Sequence, residues 1–438
     1  VEAASVSRRI AQLSVAPLAG LIAVAAFSSE AQAAWESRSI AGMTVEVYTP
    51  ASTSPIGTGR GLMIPMHGCT QTAVQLRDYG NFEHTAEEFG IVFAVPLVPN
   101  GGVVAGCWNY YGAIHTRSSG HNGNVIELAE TLRDDAALMI DPAQIYLAGF
   151  SAGGGQAAVL GCLAPDLFAG VGIAAGPSVG TSVTQISSVA TTAGQATTLC
   201  NQLAGTHSGD FATQLAVAFT DTSDFTVAQG YAALNAEMFA SIYGGGAALT
   251  SSPFDMASLP GTTPAGSGNE YDDADGPRIA ALVSTSGSGH AWPSGSGMGG
   301  LGLSFVSGNG LDFANYLAEF FTANSRRATG DWDPGDDDGG ADTGAADDGG
   351  NTDAGDGTAP GTDGGGDSDG GAGTDGDGGD AGDAEDDGGA ASVATFGQDD
   401  GRIEPSGCQC NADERGTGGL AGLGLGLIAV WRRRRARG

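Results

Sequence analysis

The stretch Gly149-Phe150-Ser151-Ala152-Gly153 constrains this chain more than any other. An apolar run, Ile145-Tyr146-Leu147-Ala148, leads into it, and a small-residue run from Gly154 to Leu160 that can continue as a helix follows. Strand, sharp turn, helix is the setting in which G-x-S-x-G lifts a serine out of the backbone. The turn forces that serine into a strained conformation, and Cβ atoms at the flanking glycines would collide with the neighbouring strand and helix. The Ser151 hydroxyl would then stand above the sheet at a helix N-terminus, where developing negative charge is favoured. In a chain with 75 glycines the pattern also arises by chance, so its weight depends on the partners found elsewhere.

The 438 residues carry a formal net charge of −33, and every basic residue is an arginine. From Gly330 to Asp400 the chain is almost entirely Gly, Asp, Ala and Thr. Such a stretch cannot bury enough apolar surface to offset its ordering entropy. That leaves roughly 300 residues, Trp35 to Arg327, for one α/β domain. The domain is itself acidic, which argues against nucleic acid as a partner and points to solubility as the role of the charge.

Residues 1–33 read as a secretion signal. Arg8-Arg9 is the basic start, Ile10 to Phe27 is mostly apolar and small, and Ala31-Gln32-Ala33 is an A-x-A cleavage site. A retained membrane helix is the simpler alternative, disfavoured by the Ser and Pro interruptions. Residues 34–328 form the expected catalytic domain. Strands are expected at Met43–Val47, Gly61–Met66, Ile91–Val95, Ile145–Ala148, Leu215–Phe219 and Ala280–Val283. Helices are expected at Asn124–Leu138, Ala228–Tyr243 and Leu311–Ala323. The alternation implies an α/β fold with a mainly parallel central sheet and helices on both faces.

A serine nucleophile needs a base, and the base needs an orienting acid. In α/β-hydrolases these follow in the chain order Ser, Asp, His. Of the six histidines, only His290, in Gly289-His290-Ala291-Trp292-Pro293, lies after a late strand with a flexible Gly-Ser approach. The acid comes from the segment just past Leu215–Phe219, where Asp221 and Asp224 compete. Asp224 is preferred, with Asp221 capping the turn. The oxyanion needs two N–H donors. Ala152 would supply one, and the backbone of Cys69, in His67-Gly68-Cys69-Thr70 after the strand ending at Met66, the other. A plain tight turn is the alternative for His67-Gly68.

These motifs carry a resemblance. His67-Gly68-Cys69-Thr70-Gln71-Thr72-Ala73, Cys107-Trp108-Asn109-Tyr110-Tyr111, Gly149–Gly154, Asp224-Phe225-Thr226-Val227 and Gly289–Pro293 occur in this order. Together they resemble the polyhydroxybutyrate depolymerase family of secreted esterases, which also includes feruloyl and acetylxylan esterases. The resemblance covers nearly all of Gly61 to Ala323. It implies Ser151 as nucleophile, Asp224 as acid, His290 as base and the amides of Cys69 and Ala152 as oxyanion donors. It also implies an aromatic catalytic rim, with Trp108 and Trp292 binding substrate; the alternative is that both tryptophans belong to the core.

Four of the six cysteines fall in the domain. Cys69–Cys107 and Cys162–Cys200 are the preferred pairs, each joining loop to loop near the catalytic face, although four cysteines allow three connectivities. No close Cys/His cluster suggests a metal, and no cofactor is expected. Residues 329–406 read as a solvated spacer; Asp336-Asp337-Asp338 and Asp367-Ser368-Asp369 lack EF-hand spacing. Residues 407–438 contain Cys408 and Cys410, the apolar run Leu420 to Trp431 and Arg432 to Arg435. This tail resembles the sorting signals of myxobacterial surface proteins, with a simple membrane anchor as the alternative. The expectation is thus an extracellular or surface-anchored serine esterase acting on a polyester or small ester. Its only membrane contact would be through the tail, and sorting machinery would be its partner. A plant cell-wall esterase and a silent surface-binding protein are the competing readings.

Overall fold

The computed structural model describes residues 33–299, 304–330 and 332. They lie in the first of two units into which the chain divides, Val1–Ala346 and Asp347–Gly438. Apart from a few junction residues, the expected leader, spacer and sorting tail lie outside the described residues.

Ten strands form one sheet: β1 (Trp35–Ile40), β2 (Met43–Tyr48), β3 (Arg60–Met66), β4 (Ile91–Pro96), β5 (Ile140–Phe150), β6 (Gly170–Ala174), β7 (Leu215–Asp221), β8 (Thr250–Asp255), β9 (Gly266–Asp273) and β10 (Gly276–Ser284). Their order is β1-β2-β4-β3-β5-β6-β7-β10-β9-β8. Strands β4, β3, β5, β6, β7 and β10 pair in parallel, and antiparallel strands flank them on both sides. The central strands are buried on both faces, which is why they read as continuous apolar runs rather than as alternations.

Two cores sandwich the sheet. On one face, Leu62, Ile64, Ile145 and Leu147 meet α3 (Gly120–Arg133), α4 (Ala152–Leu163), α5 (Ala193–Ala204) and α6 (Gly230–Tyr243). On the other, Met63, Tyr146, Ala148 and Phe150 meet α1 (Ala73–Tyr79), α2 (Phe82–Phe89) and α7 (Phe313–Asn324). Successive strand residues alternate between the two cores, as the period of a strand requires. This is the α/β-hydrolase architecture, with a parallel sheet covered on both sides.

Several boundaries differ from the sequence expectation. Helix α3 starts and stops earlier than Asn124–Leu138. It stops because the Asp135 carboxylate takes the Ala137 N–H at 3.0 Å and the Asp135 carbonyl takes the Leu138 N–H, which together make a turn. Helix α7 begins at Phe313 rather than Leu311, because Asp312 caps it by accepting from the Asn315 N–H. Strands β8 and β9 were not expected. Thr250-Ser251-Ser252-Pro253 is polar and exposed, as suits a sheet edge, and carries no apolar pattern.

Candidate active site

Ser151 sits between β5 and α4 with φ 55° and ψ −118°, a conformation that costs an ordinary residue on the order of 1–3 kcal/mol. The glycines make it possible. A Cβ at Gly149 would strike the Gly153 carbonyl, and one at Gly153 would strike the carbonyls of Met66 and His67. The elbow is therefore wedged against the end of β3, and the loop leaving β3 lies directly over it. A Cβ at Gly68 would come within 3.2 Å of Ser151 Cβ.

The acid and base arrive from the C-terminal ends of β7 and β10. The Ser151 hydroxyl lies 2.9 Å from His290 Nε2, and His290 Nδ1 lies 2.8 Å from Asp224 Oδ2. A carboxylate only accepts, so Nδ1 carries the proton and Nε2 is left to accept from the serine. The Asp224 side chain has no solvent exposure. Its other oxygen accepts the Thr226 and Val227 N–H groups at 2.8 and 3.0 Å. A serine joined to a carboxylate through an imidazole is an arrangement that can activate the hydroxyl as a nucleophile.

Asp221, at the end of β7, makes its hydrogen bonds to loop residues rather than to the imidazole and ties the loops together. One of its oxygens accepts from the backbone N–H and hydroxyl of Ser223 and from the Gly289 N–H. The other accepts from the Ser284 hydroxyl at 2.9 Å and the Ser288 N–H at 3.2 Å. Burial raises its pKa, but the hydrogen bonds from Ser223, Ser284 and Ser288 outweigh it and hold the carboxyl below its usual range. Asp221 therefore caps the turn, as expected, and also anchors the segment that carries His290.

Two backbone amides are expected to serve the oxyanion: that of Ala152, next to the serine, and that of Cys69, next to Gly68, where an added Cβ would lie 3.2 Å from Ser151 Cβ. Ala152 is the first residue of α4, where an N–H has no partner within the helix. Among the described residues neither the Ala152 nor the Cys69 N–H donates to a protein acceptor. Cys69 is bonded to Cys107, and Cys162 to Cys200. The second bond corrects an expectation: it joins helix α4 to helix α5, not loop to loop. Cys162 lies roughly 16 Å along α4 from Ser151 at the helical rise per residue.

The tryptophans also require correction. Trp108 and Trp292 are both 0% exposed and cannot line a substrate rim. Trp292 is packed between the rings of Phe82 and Phe313, at 5.7 and 5.4 Å. Trp108 lies between His67 and His121, each with ring centroids 5.6 Å away. Closeness to His290 in sequence said nothing about side-chain direction. Exposed apolar residues that lie next to site residues in the chain or through a loop contact include Phe225, beside Asp224, at 90%, and Val103 and Val104 at 47% and 53%. The latter two precede Ala105, whose carbonyl accepts the Thr70 N–H next to Cys69. A pocket beside His290 is lined by Ser288, Ala291, Ser304, Phe305 and Ser307. Among the described residues no group of three or more His, Cys, Asp or Glu could hold a metal ion. No helix there is long and apolar enough to cross a membrane.

Sequence reasoning missed two buried polar side chains in the loop after β3, His67 and Gln71. The available signal was their position, flanking the Gly68-Cys69 pair expected to serve the oxyanion.

A poly(3-hydroxybutyrate) depolymerase of Ralstonia pickettii is 36% identical over 309 residues, covering 68% of this chain and 61% of the relative. The chain thus spans less than two thirds of that relative's length. Acetylxylan esterase A of Aspergillus ficuum is 26% identical over 142 residues, covering 32% of this chain and 44% of the relative. Among solved structures, an acetyl xylan esterase from Aspergillus awamori aligns at 15% identity and a TM-score of 0.47, covering 59% of this chain and 94% of that one. Over residues 46–203, the segment that carries the loop after β3 and the serine elbow, the chain matches the family described as esterase PHB depolymerase.

Proposed function

We propose that this protein is an exported serine esterase that cleaves polyhydroxybutyrate-type polyesters or their oligomers through an acyl-enzyme on Ser151. The observation that carries this reading is the hydrogen-bonded chain from Ser151 through His290 to Asp224, with two amides, of Ala152 and Cys69, that have no protein acceptor among the described residues. In this reading His290 Nε2 takes the hydroxyl proton as Ser151 Oγ attacks the ester carbonyl. The Cys69 and Ala152 N–H groups receive the oxyanion. Collapse of the tetrahedral intermediate breaks the ester C–O bond, and the His290 proton goes to the departing alkoxide. Water, deprotonated by the same imidazole, then hydrolyses the acyl-serine. Asp224 holds the tautomer and stabilises the imidazolium without accepting the proton.

The substrate rests on similarity and on the apolar rim. The Ralstonia pickettii relative is a poly(3-hydroxybutyrate) depolymerase. An aliphatic polyester offers methyl and methylene groups suited to exposed Phe225, Val103 and Val104. Similarity to an acetylxylan esterase favours a second reading, hydrolysis of plant cell-wall esters. Two disulfides are consistent with export, and the leader and sorting tail read from the sequence belong to the same proposal. The deciding experiment offers hydroxybutyrate oligomers, amorphous polymer, feruloyl sugar and acetylxylan side by side to the wild type and Ser151→Ala. Turnover of the oligomers that is lost in the variant supports the first reading. Turnover of the sugar esters alone replaces it with the second.

A further inference from the structure

We propose that His67 is a positioning residue that fixes the Gly68–Cys69 peptide so that the Cys69 N–H faces the oxyanion. The inference rests on the esterase reading above and adds a residue to which that reading gives no part.

The His67 ring is fully buried and both of its nitrogens are engaged. Nδ1 lies 2.7 Å from the Gly68 carbonyl, and Nε2 lies 3.1 Å from the Val98 N–H. A carbonyl can only accept and an amide N–H can only donate. The ring must therefore be neutral, with its proton on Nδ1 and donated to Gly68. In a trans peptide the C=O and the following N–H point in opposite directions. Holding the Gly68 carbonyl towards His67 therefore turns the Cys69 N–H the other way, and among the described residues that N–H has no protein acceptor. The same peptide starts from Gly68, which packs on the Ser151 elbow: a Cβ there would lie 3.2 Å from Ser151 Cβ, so the freed N–H sits on a loop held against the serine.

The neighbouring contacts support this orientation. Gln71 accepts the Gly68 N–H at 2.9 Å through Oε1 and donates from Nε2 to the Ser304 carbonyl at 2.5 Å. The Gln71 N–H is a second, longer donor to the Gly68 carbonyl at 3.4 Å. Trp108 backs the imidazole, so the motif residue expected to touch substrate instead steadies the ring that orients the peptide. Without the Nδ1 donor the Gly68 carbonyl loses its strongest partner. The peptide is then left with the longer Gln71 donor, and its rotation would withdraw the N–H and point a carbonyl oxygen at the oxyanion.

The test is His67→Ala with a short p-nitrophenyl ester and n-butaneboronic acid, which forms a tetrahedral adduct on an active serine. The expected result is a kcat lower by about 10²–10³, the loss typical of one oxyanion donor, with KM changed by no more than about threefold. Boronate affinity should fall in parallel with kcat. Wild-type kcat and boronate affinity in a folded variant would overturn the proposal, as would a loss confined to stability. If Ser151→Ala keeps its activity, the esterase reading fails separately. Should His67→Ala not fold, nitrogen-15 NMR of the wild-type imidazole decides. The Nδ1–H tautomer at pH 7 is required, and an Nε2–H tautomer or a charged ring overturns the proposal.

Discussion

Ser151 and its two partners reach the same point by different construction. The serine is wedged between the buried C-terminal half of β5 and a fully buried helix, with close backbone approach at Gly149 and Gly153. Asp224 and His290 ride on loops, and their placement depends on hydrogen bonds gathered by Asp221 from Ser223, Ser284, Ser288 and Gly289. The loop after β3 combines both means: it packs on the elbow, and His67 and Gln71 hold it by hydrogen bonds. Packing fixes the site where the chain runs in strand and helix, and charge-assisted hydrogen bonds to buried carboxylates fix it where the chain runs in loops.

The sharpest way to break this comparison is at the two aspartates. Asp224→Asn should lower kcat by about 10⁴ while leaving the melting temperature nearly unchanged, because the amide stabilises the wrong imidazole tautomer. Asp221→Asn should do the opposite, costing about 2–3 kcal/mol of stability and no more than about tenfold in kcat. Measuring kcat and thermal unfolding on both variants checks this; a reversed order would make Asp221 the acid.

The disulfides give the next largest effect. Each closes a loop with the same sequence separation, 38 residues, so on chain entropy each should contribute about 4 kcal/mol. Replacing either pair by alanine should therefore shift denaturant midpoints equally. Only loss of Cys69–Cys107 should also lower kcat, measured where both variants remain folded, because only that bond holds the Cys69 loop. Equal kcat values would show that the loop is positioned without it.

A smaller effect is expected from pH. Burial, against the upward pull of the Gly68 hydrogen bond, lowers the His67 pKa from 6.5 to about 4. The folded state keeps this ring neutral while the unfolded chain binds a proton, so stability is full above pH 6.5 and falls as the pH drops towards 4. The loss should amount to about 3 kcal/mol. Urea unfolding at several pH values should show a slope in this window that His67→Asn flattens; an unchanged slope would contradict the assignment. The smallest effect should come from the rim. Phe225→Ala should impair cleavage of hydroxybutyrate oligomers by about three- to tenfold more than that of a short p-nitrophenyl ester, since remote binding energy counts only when the remote group is present. Equal losses would remove Phe225 from the substrate surface.

How far the site could be read in the sequence follows from the same contrast. The elbow is legible because glycine at both flanks records local backbone collisions, and the apolar run before it records a strand buried on both faces. Ser, Asp and His could be placed because each follows a strand. The tryptophans could not: Trp108 turns inward onto His67 and Trp292 onto Phe82 and Phe313, contacts made across distant parts of the chain. The part played by Asp221 depends on Ser284, Ser288 and Gly289, more than sixty residues away, and no local pattern announces such a set. Strands β8 and β9 were missed because an exposed edge has no need of apolar alternation.

The central claim is that Ser151 carries the acyl group. Mixing the protein with p-nitrophenyl butyrate, quenching in acid within the first turnovers and mapping peptides by mass spectrometry tests it directly. The account predicts a butyryl group on the peptide containing Ser151, accumulating in step with a burst of p-nitrophenol and absent from Ser151→Ala. Ester turnover with the acyl group on another residue, or undiminished in Ser151→Ala, would contradict it.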